Sequence, residues 1–445
     1  MYANTAQETL PQLERLIEKM GDIPPVRRIG KVSQVIGVVA ESIGPSLTIG
    51  DTCYITSPHS KKRIRAEVVG LRGSRLLLMP FGPLTGISTE SRVVACKEPV
   101  SVPVGNTLLG RIIDGLGNPI DGAGPLLSME RRPIQSPPPD PLTRKRIEQP
   151  IATGIRAIDG LLTCGEGQRM GIFAGSGVGK SVLLGMIARN TNADVNVIAL
   201  IGERGREVRE FIERDLGPEG LERSVVVVVT SDQAAILRIK GAMVATTVAE
   251  YFRDQGQKVM LMMDSVTRFA MAQREIGLAV GEPPTSKGYT PSVFTMLPKL
   301  LERAGTGRTG SITGLYTVLV ESDDMNEPIA DAVRSILDGH IVLSRKLASL
   351  SHYPAIDVME SVSRVMNDVV QHDHRAAAGE VLELLSTYRE AEDLVNIGAY
   401  APGSNSKIDK SLEHIDAING YLKQDMYEKA EFGDSVSSLT SITGT

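Results

Sequence analysis

The chain has 445 residues, 42% of them apolar and 23% charged, with a net charge of −5. That length exceeds one hydrophobic core and predicts about two to four domains, because domains usually hold about 100 to 200 residues. The apolar and charged fractions exclude a disordered chain, and the mild negative charge without a long basic block argues against nucleic acid as a partner.

The three cysteines, Cys53, Cys96 and Cys164, lie far apart in the sequence. Their number and spacing fit neither a disulfide framework nor a zinc cluster, which indicates a reducing compartment. No N-terminal stretch resembles a signal peptide, and no run approaches the ~20 apolar residues of a membrane helix. We therefore expect a cytoplasmic protein whose contact with a membrane is at most peripheral.

Residues 9–20, TLPQLERLIEKM, predict a short amphipathic helix that Pro24 and Pro25 separate from the following chain. Its apolar residues recur at intervals of three and four: Leu10, Leu13, Ile17 and Met20. Two interpretations remain open. This stripe either packs on the next domain of the same chain or docks a partner.

From about Val26 to Val100 the pattern changes to short β-strands separated by glycine-containing turns. In RIRAEVVGL, for example, Ile64, Ala66 and Val68 alternate with other residues. Strands at this spacing predict a small barrel or a sandwich. The segment lacks the interleaved aromatic and basic residues with which barrels bind single-stranded nucleic acid, so a packing or ring-forming role is favoured.

The segment 136–146, SPPPDPLTRKR, is a stiff polar connector, because proline fits neither helix interiors nor central strands. After it, apolar strands alternate with helical patterns, which predicts a parallel sheet covered on both faces. Residues 234–256 predict one of these helices, ended by Gly256. The predicted strands are QRMGIFA, VNVIALIG, SVVVVVTS, KVMLMMD and GLYTVLVES.

Beyond about Asp357 the strand signals fade and helical faces replace them. One face is formed by Val381, Leu384, Leu385 and Tyr388, and another by Leu412, Ile415 and Leu422. His372 and His374 are two residues apart, which predicts the solvated start of a helix rather than a metal site. Residues 433–445 are expected to be a loose tail.

AGSGVGKS, residues 174–181, follows a predicted strand and opens a predicted helix, which is the context of a phosphate-binding loop. Glycines let successive N–H groups converge on phosphate oxygens, Lys180 adds positive charge, and the Ser181 hydroxyl can bind Mg²⁺. Ala174 replaces the glycine that usually opens the pattern. The expected nucleotide-binding residues are Gly175, Ser176, Gly177, Val178, Gly179, Lys180 and Ser181.

Two carboxylates end predicted strands. Asp264 ends KVMLMMD, where it can anchor Mg²⁺ at the carboxyl edge of the sheet or cap the next helix. Glu203 follows VNVIAL and is a candidate to accept a proton from water, with Arg204 as a phosphate contact. The alternative for Glu203 is that it belongs to a solvated charge run, ERGREVREFIERD.

PAIDVMESVSR, residues 354–364, resembles the signature of the rotary ATP synthase α/β superfamily. IGERGRE, LMMDSVTRFA and residues 152–181 resemble its other blocks. Within that superfamily, GYTPSVFTMLPKLLERAG and FAGSGVGKSVLLGMIARN are most similar to the type III export ATPases, the flagellar one in particular. That branch shares the alanine at position 174, and the resemblance covers nearly the whole chain.

The resemblance implies an α/β fold in four parts. A RecA-like P-loop ATPase core, residues 101–356, would lie between an N-terminal β-barrel, residues 23–100, and a C-terminal helical domain, residues 357–445. Residues 1–22 would form a leading helix that binds a stator-like export regulator. The resemblance also implies a homohexameric ring with ATP at its subunit interfaces.

By the same resemblance, Lys180 and Ser181 hold phosphate and Mg²⁺, Glu203 is the catalytic carboxylate and Asp264 anchors Mg²⁺ directly or indirectly. Arg364 would be an arginine finger that enters the neighbour's site, and Tyr353 would stack on adenine. The implied partners are a central stalk-like export protein, export substrates with their chaperones, and the membrane export gate at the inner face of the cell membrane.

Three functions compete on these grounds. The first is ATP hydrolysis that energises flagellar protein export. The second keeps the enzyme but assigns it to a virulence secretion system or a rotary synthase. The third is a catalytically silent nucleotide-binding ring subunit. Glu203 argues against the third, because silent subunits of this superfamily lack that carboxylate as a rule.

Overall fold

The computed structural model describes residues 29–58, 63–96, 98–127, 129–320 and 324–444. The helix predicted over residues 9–20 lies outside them. Contacts divide the chain into two compact units, with the boundary between Pro99 and Val100.

In the described part of the first unit, six antiparallel strands close into a barrel, in the order β1-β2-β5-β4-β3-β6. They are β1 Ile29–Ile36, β2 Val39–Ile43, β3 Thr52–Thr56, β4 Arg63–Arg72, β5 Arg75–Pro80 and β6 Arg92–Cys96. On β4, Ile64, Ala66 and Val68 are buried, as their alternation predicts. The barrel, and not the sandwich, is therefore the correct alternative, and the apolar residues of each strand fill its interior.

The described strands of the second unit follow in chain order: β7 Ser101–Val104, β8 Ile112–Asp114, β9 Glu130–Pro133, β10 Arg169–Ala174, β11 Val195–Glu203, β12 Ser224–Thr230, β13 Lys258–Asp264, β14 Gly305–Thr306, β15 Ser311–Leu319, β16 Gly339–Leu343 and β17 Ile356–Ser363. The main sheet has the order β17-β16-β10-β15-β13-β11-β12-β8, with β14 paired to β15. β7 and β9 form a separate antiparallel pair. All five strands that the sequence predicted in this part are present.

Neighbours from β8 to β16 along this sheet run parallel, whereas β17 runs antiparallel to β16. β17 continues to Ser363, past the point where strand signals were expected to fade. Its residues are only alternately buried because it lies at the sheet edge, so it lacks the continuous apolar run of a central strand.

The α-helices of the described residues are α1 Arg156–Leu161, α2 Lys180–Asn190, α3 Gly205–Glu210, α4 Gly217–Glu222, α5 Ala235–Asp254, α6 Val266–Val280, α7 Pro291–Leu301, α8 Pro328–Ile336, α9 Arg345–Ser349, α10 Met366–Val369, α11 His372–Asn396, α12 Ser406–Leu422 and α13 Phe432–Thr443. The helix predicted over residues 234–256 is α5, and Gly256 follows it with a φ of 85°. Both ends therefore agree with the prediction to within two residues.

The C-terminal helices share one hydrophobic core with the sheet. Val381, Leu384 and Leu385 are buried there as predicted, together with residues of the central strands. The expected loose tail is wrong, because residues 432–443 form α13 and Leu439 is fully buried. His372 does begin α11, but His374 is buried and its Nε2 lies 2.8 Å from the Gly160 carbonyl oxygen.

Candidate active site

The predicted phosphate-binding loop connects β10 to α2. Gly177 and Gly179 have φ values of 79° and 93°, which side chains with a Cβ rarely adopt. Val178 is buried and anchors the loop, while Ser176 is exposed. Ala174 is buried at the end of β10 and its φ is not positive, so its methyl group fits at the position where glycine is usual.

The carboxyl ends of the parallel strands bring three predicted residues together. Asp264, at the end of β13, accepts a hydrogen bond from Thr317 Oγ1 at 2.7 Å and pairs with Lys180 Nζ. Lys180 Nζ also lies 3.9 Å from Glu203 Oε1, at the end of β11. That separation is electrostatic and too long for a hydrogen bond. The alternative role of Asp264 as a helix cap is wrong, since Ser265 caps α6 by accepting a bond from the Arg268 N–H at 3.3 Å.

A β-bulge orients Glu203. The register of β11 against β12 shifts between Ile201 and Glu203, and Gly202 between them has a φ of 75°. A Cβ on Gly202 would lie 2.8 Å from the Cβ of Arg268. The glycine therefore allows α6 to pack closely behind the site and re-aims the side chain that follows it.

The Glu203 side chain is 14% exposed, so it does not belong to a solvated charge run. Other charged residues of that run do face solvent, as in the pair of Arg209 with Glu213, although Asp215 at its end is buried. Burial, followed by the nearby Asp264 carboxylate, raises the pKa of Glu203 to about 7, and Lys180 opposes this shift. Its buried Oε1 has no hydrogen-bond partner among the described residues. This carboxylate is placed to take up a proton near neutral pH.

A cavity of about 780 Å³, here called the large cavity, opens at this edge of the sheet. Asp264 is 3% exposed and lies behind Lys180, which pairs with it and lines the cavity. Arg204 lies at the mouth of the cavity with 80% of its side chain exposed. Its Nη1 is 3.4 Å from Glu207 Oε1. The lining includes Gly175, Ser176, Gly177, Gly179, Lys180, Ser181, Glu203, Arg204, Glu207, Thr267, Arg268 and Arg345.

A second cavity of about 320 Å³, the small cavity, shares Gly179 and Val182 with the large one. Its walls are mostly apolar and include Val178, Met186 and Tyr353. A Cβ on Gly179 would lie 3.6 Å from the Tyr353 ring, so the aromatic residue lies directly beside the loop. Another part of the wall comes from Gln424, Asp425 and Met426, which follow α12. Together the two cavities offer a polar chamber joined to an apolar one.

Arg364 lies away from this site in its own chain. It follows β17, whose last residue, Ser363, pairs with Gly339 at the start of β16. The Arg364 N–H donates to the Asp338 carbonyl oxygen at 3.0 Å, and its side chain is exposed. Because β16 is parallel to β10 and β17 is antiparallel to β16, Arg364 lies level with Arg169, where β10 begins. The phosphate-binding loop leaves β10 after Ala174, at the opposite end of the strand, about 16 Å further along at ~3.3 Å per residue.

Several residues of the large cavity or its support were missed by the sequence analysis, among them Thr317, Arg268, Glu207 and Arg345. Thr317 is a polar residue inside an apolar strand, which is a signal that could have been used. Arg268 and Glu207 lie in the first turns of α6 and α3, the helices that follow the strands ending in Asp264 and Glu203, and this nearness in sequence is a signal that could have been used. Arg345 carries no such signal, because only the sheet order places it here.

Comparison with known proteins agrees with this geometry. The model of the ATP synthase alpha/beta family nucleotide-binding domain matches residues 154–363, and that of the family's beta-barrel domain matches residues 32–97. The flagellum-specific ATP synthase of Bacillus subtilis is 56% identical over 421 residues, 94% of this chain and 96% of that protein. The chain belongs to the ATP synthase α/β family.

Further members narrow the position within the family. The model of the T3SS EscN ATPase C-terminal domain matches residues 370–441. The type 3 secretion system ATPase of Xanthomonas euvesicatoria is 53% identical over 97% of this chain and 98% of that protein. The assembled ATPase EscN of enteropathogenic E. coli superposes with a TM-score of 0.88 and 47% identity, covering 93% of this chain and 99% of that one. This family member therefore lies among the flagellar and type III secretion ATPases.

Proposed function

We propose that this chain is a Mg²⁺-dependent ATPase that energises the export of flagellar proteins through a type III secretion apparatus. The observation that carries the proposal is the convergence of Lys180, Glu203 and Asp264 beside one cavity. Its apolar extension at Tyr353 has the character of a nucleobase pocket. Identity of 56% to a flagellum-specific ATP synthase over almost the whole chain supports the flagellar assignment.

The large cavity would hold the triphosphate. The loop N–H groups and Lys180 would bind the phosphates, and Arg268 and Arg204 add positive charge along the cavity. Glu203 would orient a water molecule and accept its proton, for which a pKa of about 7 is suited. The catalytic residues we propose are Glu203, Arg204 and, from a neighbouring subunit, Arg364.

The oxygen donors at this edge fit Mg²⁺, which prefers a few carboxylate or hydroxyl oxygens together with phosphate. Ser181 lines the large cavity directly. Asp264 already accepts hydrogen bonds from Lys180 and Thr317, so its position suits indirect binding of Mg²⁺. When bound, Mg²⁺ would neutralise charge on the phosphates, and Ser181 with Asp264 would hold it. Tyr353 would stack on the adenine in the small cavity.

Arg364 supports assembly into a ring. It is exposed at the sheet edge opposite to its own loop, so it is available to a neighbouring subunit and not to its own site. We propose a homohexamer in which Arg364 of each subunit completes the next site. The related EscN was solved as an assembled ATPase, which supports an oligomer of this kind.

Further partners belong to the same proposal. EscN was also solved in complex with its central stalk, EscO, which supports a central stalk-like partner here. Export substrates with their chaperones, and a stator-like regulator at residues 1–22, complete the set. Among the described residues, no helix has the length and apolar character to cross a membrane. We place the enzyme in the cytoplasm, peripherally at the membrane export gate.

The alternative is the corresponding ATPase of a virulence secretion system, favoured by 53% identity to a type 3 secretion system ATPase and by the match to EscN. Restored swimming of a bacterium that lacks its flagellar ATPase gene would favour the flagellar assignment. Restored effector secretion without restored swimming would favour the alternative.

Mixing two inactive variants tests the composite site. Lys180→Ala should lose tight ATP binding, and Arg364→Ala should bind ATP yet lose about 10³-fold or more in rate. Mixed rings contain interfaces with an intact loop on one side and an intact arginine on the other, so ATP hydrolysis should partly return. No return of activity, with co-assembly demonstrated by light scattering, would contradict a site shared between subunits.

A further inference from the structure

Gln424 connects three segments of the chain at the wall of the small cavity. Its side chain is buried, with the residue 5% exposed. Nε2 donates to the carbonyl oxygens of Gly154 at 2.8 Å and Glu428 at 3.0 Å, and Oε1 accepts from the Arg156 N–H at 2.9 Å. The Gln424 N–H donates to the Tyr353 carbonyl oxygen at 2.9 Å.

The C-terminal turn, residues 423–428, is also fixed by two arginines. Arg156 Nε donates to the Tyr421 carbonyl oxygen at 3.0 Å, and the same guanidinium pairs with Glu428. Arg189 donates to the Met426 carbonyl oxygen, and its guanidinium carbon lies 5.8 Å from the centre of the Tyr427 ring. Arg189 belongs to α2, the helix that begins at Lys180. The turn is thus attached to both α1 and α2.

These contacts leave Gln424 little capacity to bind a ligand. Both amide N–H groups donate to carbonyl oxygens of the chain, and its carbonyl oxygen already accepts a backbone N–H. Its effect must come through its neighbours. Asp425 and Met426 line the same small cavity as Tyr353, and Gln424 holds the backbone of both sides at a fixed distance.

We propose that Gln424 is a positioning residue that sets the affinity for the nucleobase half of the substrate. The inference rests on the proposed ATPase function and deepens it. Through its side chain Gln424 bonds Gly154, Arg156 and Glu428, and through its backbone N–H it bonds Tyr353. The side-chain bonds fix the turn that places Asp425 and Met426 in the wall of the small cavity. The phosphate half depends on residues 175–181 and does not involve Gln424.

The test is the Gln424→Met variant, which keeps the length of the side chain and removes its hydrogen bonds. Its KM for ATP should rise about tenfold because the C-terminal turn loses its fixed position, while kcat stays within about twofold of the parent. Ser411→Ala is the matched control. It removes another buried bond of the C-terminal helices, from Ser411 Oγ to the Leu384 carbonyl oxygen at 2.7 Å, and should leave KM unchanged.

Binding of inorganic tripolyphosphate separates positioning from general damage, because this probe lacks base and ribose. By calorimetry with Mg²⁺ present, Gln424→Met should bind ATP more weakly than the parent and tripolyphosphate equally well. Equal weakening of both ligands, or an unchanged KM, would overturn the proposal. If Gln424→Met does not fold, the isosteric Gln424→Glu is compared in the same way, since it loses the N–H groups that donate to the Gly154 and Glu428 carbonyl oxygens.

Failure of the proposed function would look different. In that case the parent itself would bind tripolyphosphate and ATP without hydrolysing ATP. The ratio of the two affinities in the parent and in Gln424→Met would still decide the role of Gln424.

Discussion

Buried charged residues differ between the two ends of the parallel strands, here called the amino edge, where the strands begin, and the carboxyl edge, where they end. At the amino edge, Arg303 and Glu250 are 4% and 8% exposed in their side chains and form two hydrogen bonds, at 2.8 and 2.7 Å. Arg303 also donates to the Ile134 carbonyl oxygen at 2.9 Å. At the carboxyl edge, the Glu203 side chain is 14% exposed, yet one of its oxygens is buried and has no hydrogen-bond partner among the described residues.

The difference separates structural from functional charge. A buried pair whose donors and acceptors all find partners fixes the elements that carry it, and removing one member is costly. A buried carboxylate without a full set of partners lowers the stability of the fold and keeps its capacity to bind a proton or a water molecule. We therefore infer that the helices and loops packed at the amino ends of the strands carry a stabilising ion pair, whereas the carboxyl ends carry the charges proposed to act on the substrate.

The largest effect that would sharpen this comparison is on rate. Glu203→Gln should keep ATP binding and lose about 10²- to 10⁴-fold in kcat, because an amide has nearly the same shape but cannot accept the proton of water. Glu213→Gln, in the exposed part of the same charge run, is the control and should keep the parental rate. Hydrolysis by Glu203→Gln at the parental rate would remove Glu203 from the mechanism.

The next effect is on stability at the opposite edge. Glu250→Gln leaves the buried Arg303 guanidinium without its counter-charge and should lower the free energy of unfolding by about 3 kcal/mol. Glu383→Gln removes the exposed pair with Lys407 and should cost less than about 1 kcal/mol. Urea unfolding of the three proteins measures both. Equal midpoints for the two variants would mean that the amino edge is not stabilised in this way.

The smallest effect is a dependence of stability on pH. In the folded protein the pKa of Glu203 is raised to about 7, above its value in the unfolded chain, so stability is fully present below the unfolded pKa and is lost as pH rises through about 7. Glu203→Gln does not titrate. Its stability relative to the parent should therefore grow by about 2 kcal/mol between pH 5 and pH 8. If the difference in free energy of unfolding between the two proteins stays constant over this range, burial does not raise the pKa of Glu203.

The sequence alone predicted much of the carboxyl edge. Continuous apolar runs that end in Asp264 or precede Glu203 are typical of buried parallel strands. The glycine pattern between a strand and a helix located the phosphate-binding loop. These patterns involve residues that are close in sequence, so they can be interpreted without knowledge of the fold.

What the sequence could not predict depends on contacts between distant residues. The bond from Thr317 to Asp264 requires that β15 lies beside β13, and the wall formed by Gln424 and Met426 comes from far along the chain. The tail was expected to be loose as a terminal segment, but Leu439 is buried in the core and stabilises α13. Tertiary packing decided these positions against local composition.

The antiparallel direction of β17 gives the proposed assembly a sense of rotation. A parallel last strand would have delivered Arg364 to the edge that carries its own loop. The reversed strand delivers it to the far edge, so in the proposed ring one subunit would offer an arginine where the next offers a loop, and the contact would be head-to-tail. Such contacts all point the same way around a closed ring. A subunit with Arg364→Ala would inactivate the site of one neighbour and leave its own intact. The loss of activity would therefore affect only the subunit on one side of it.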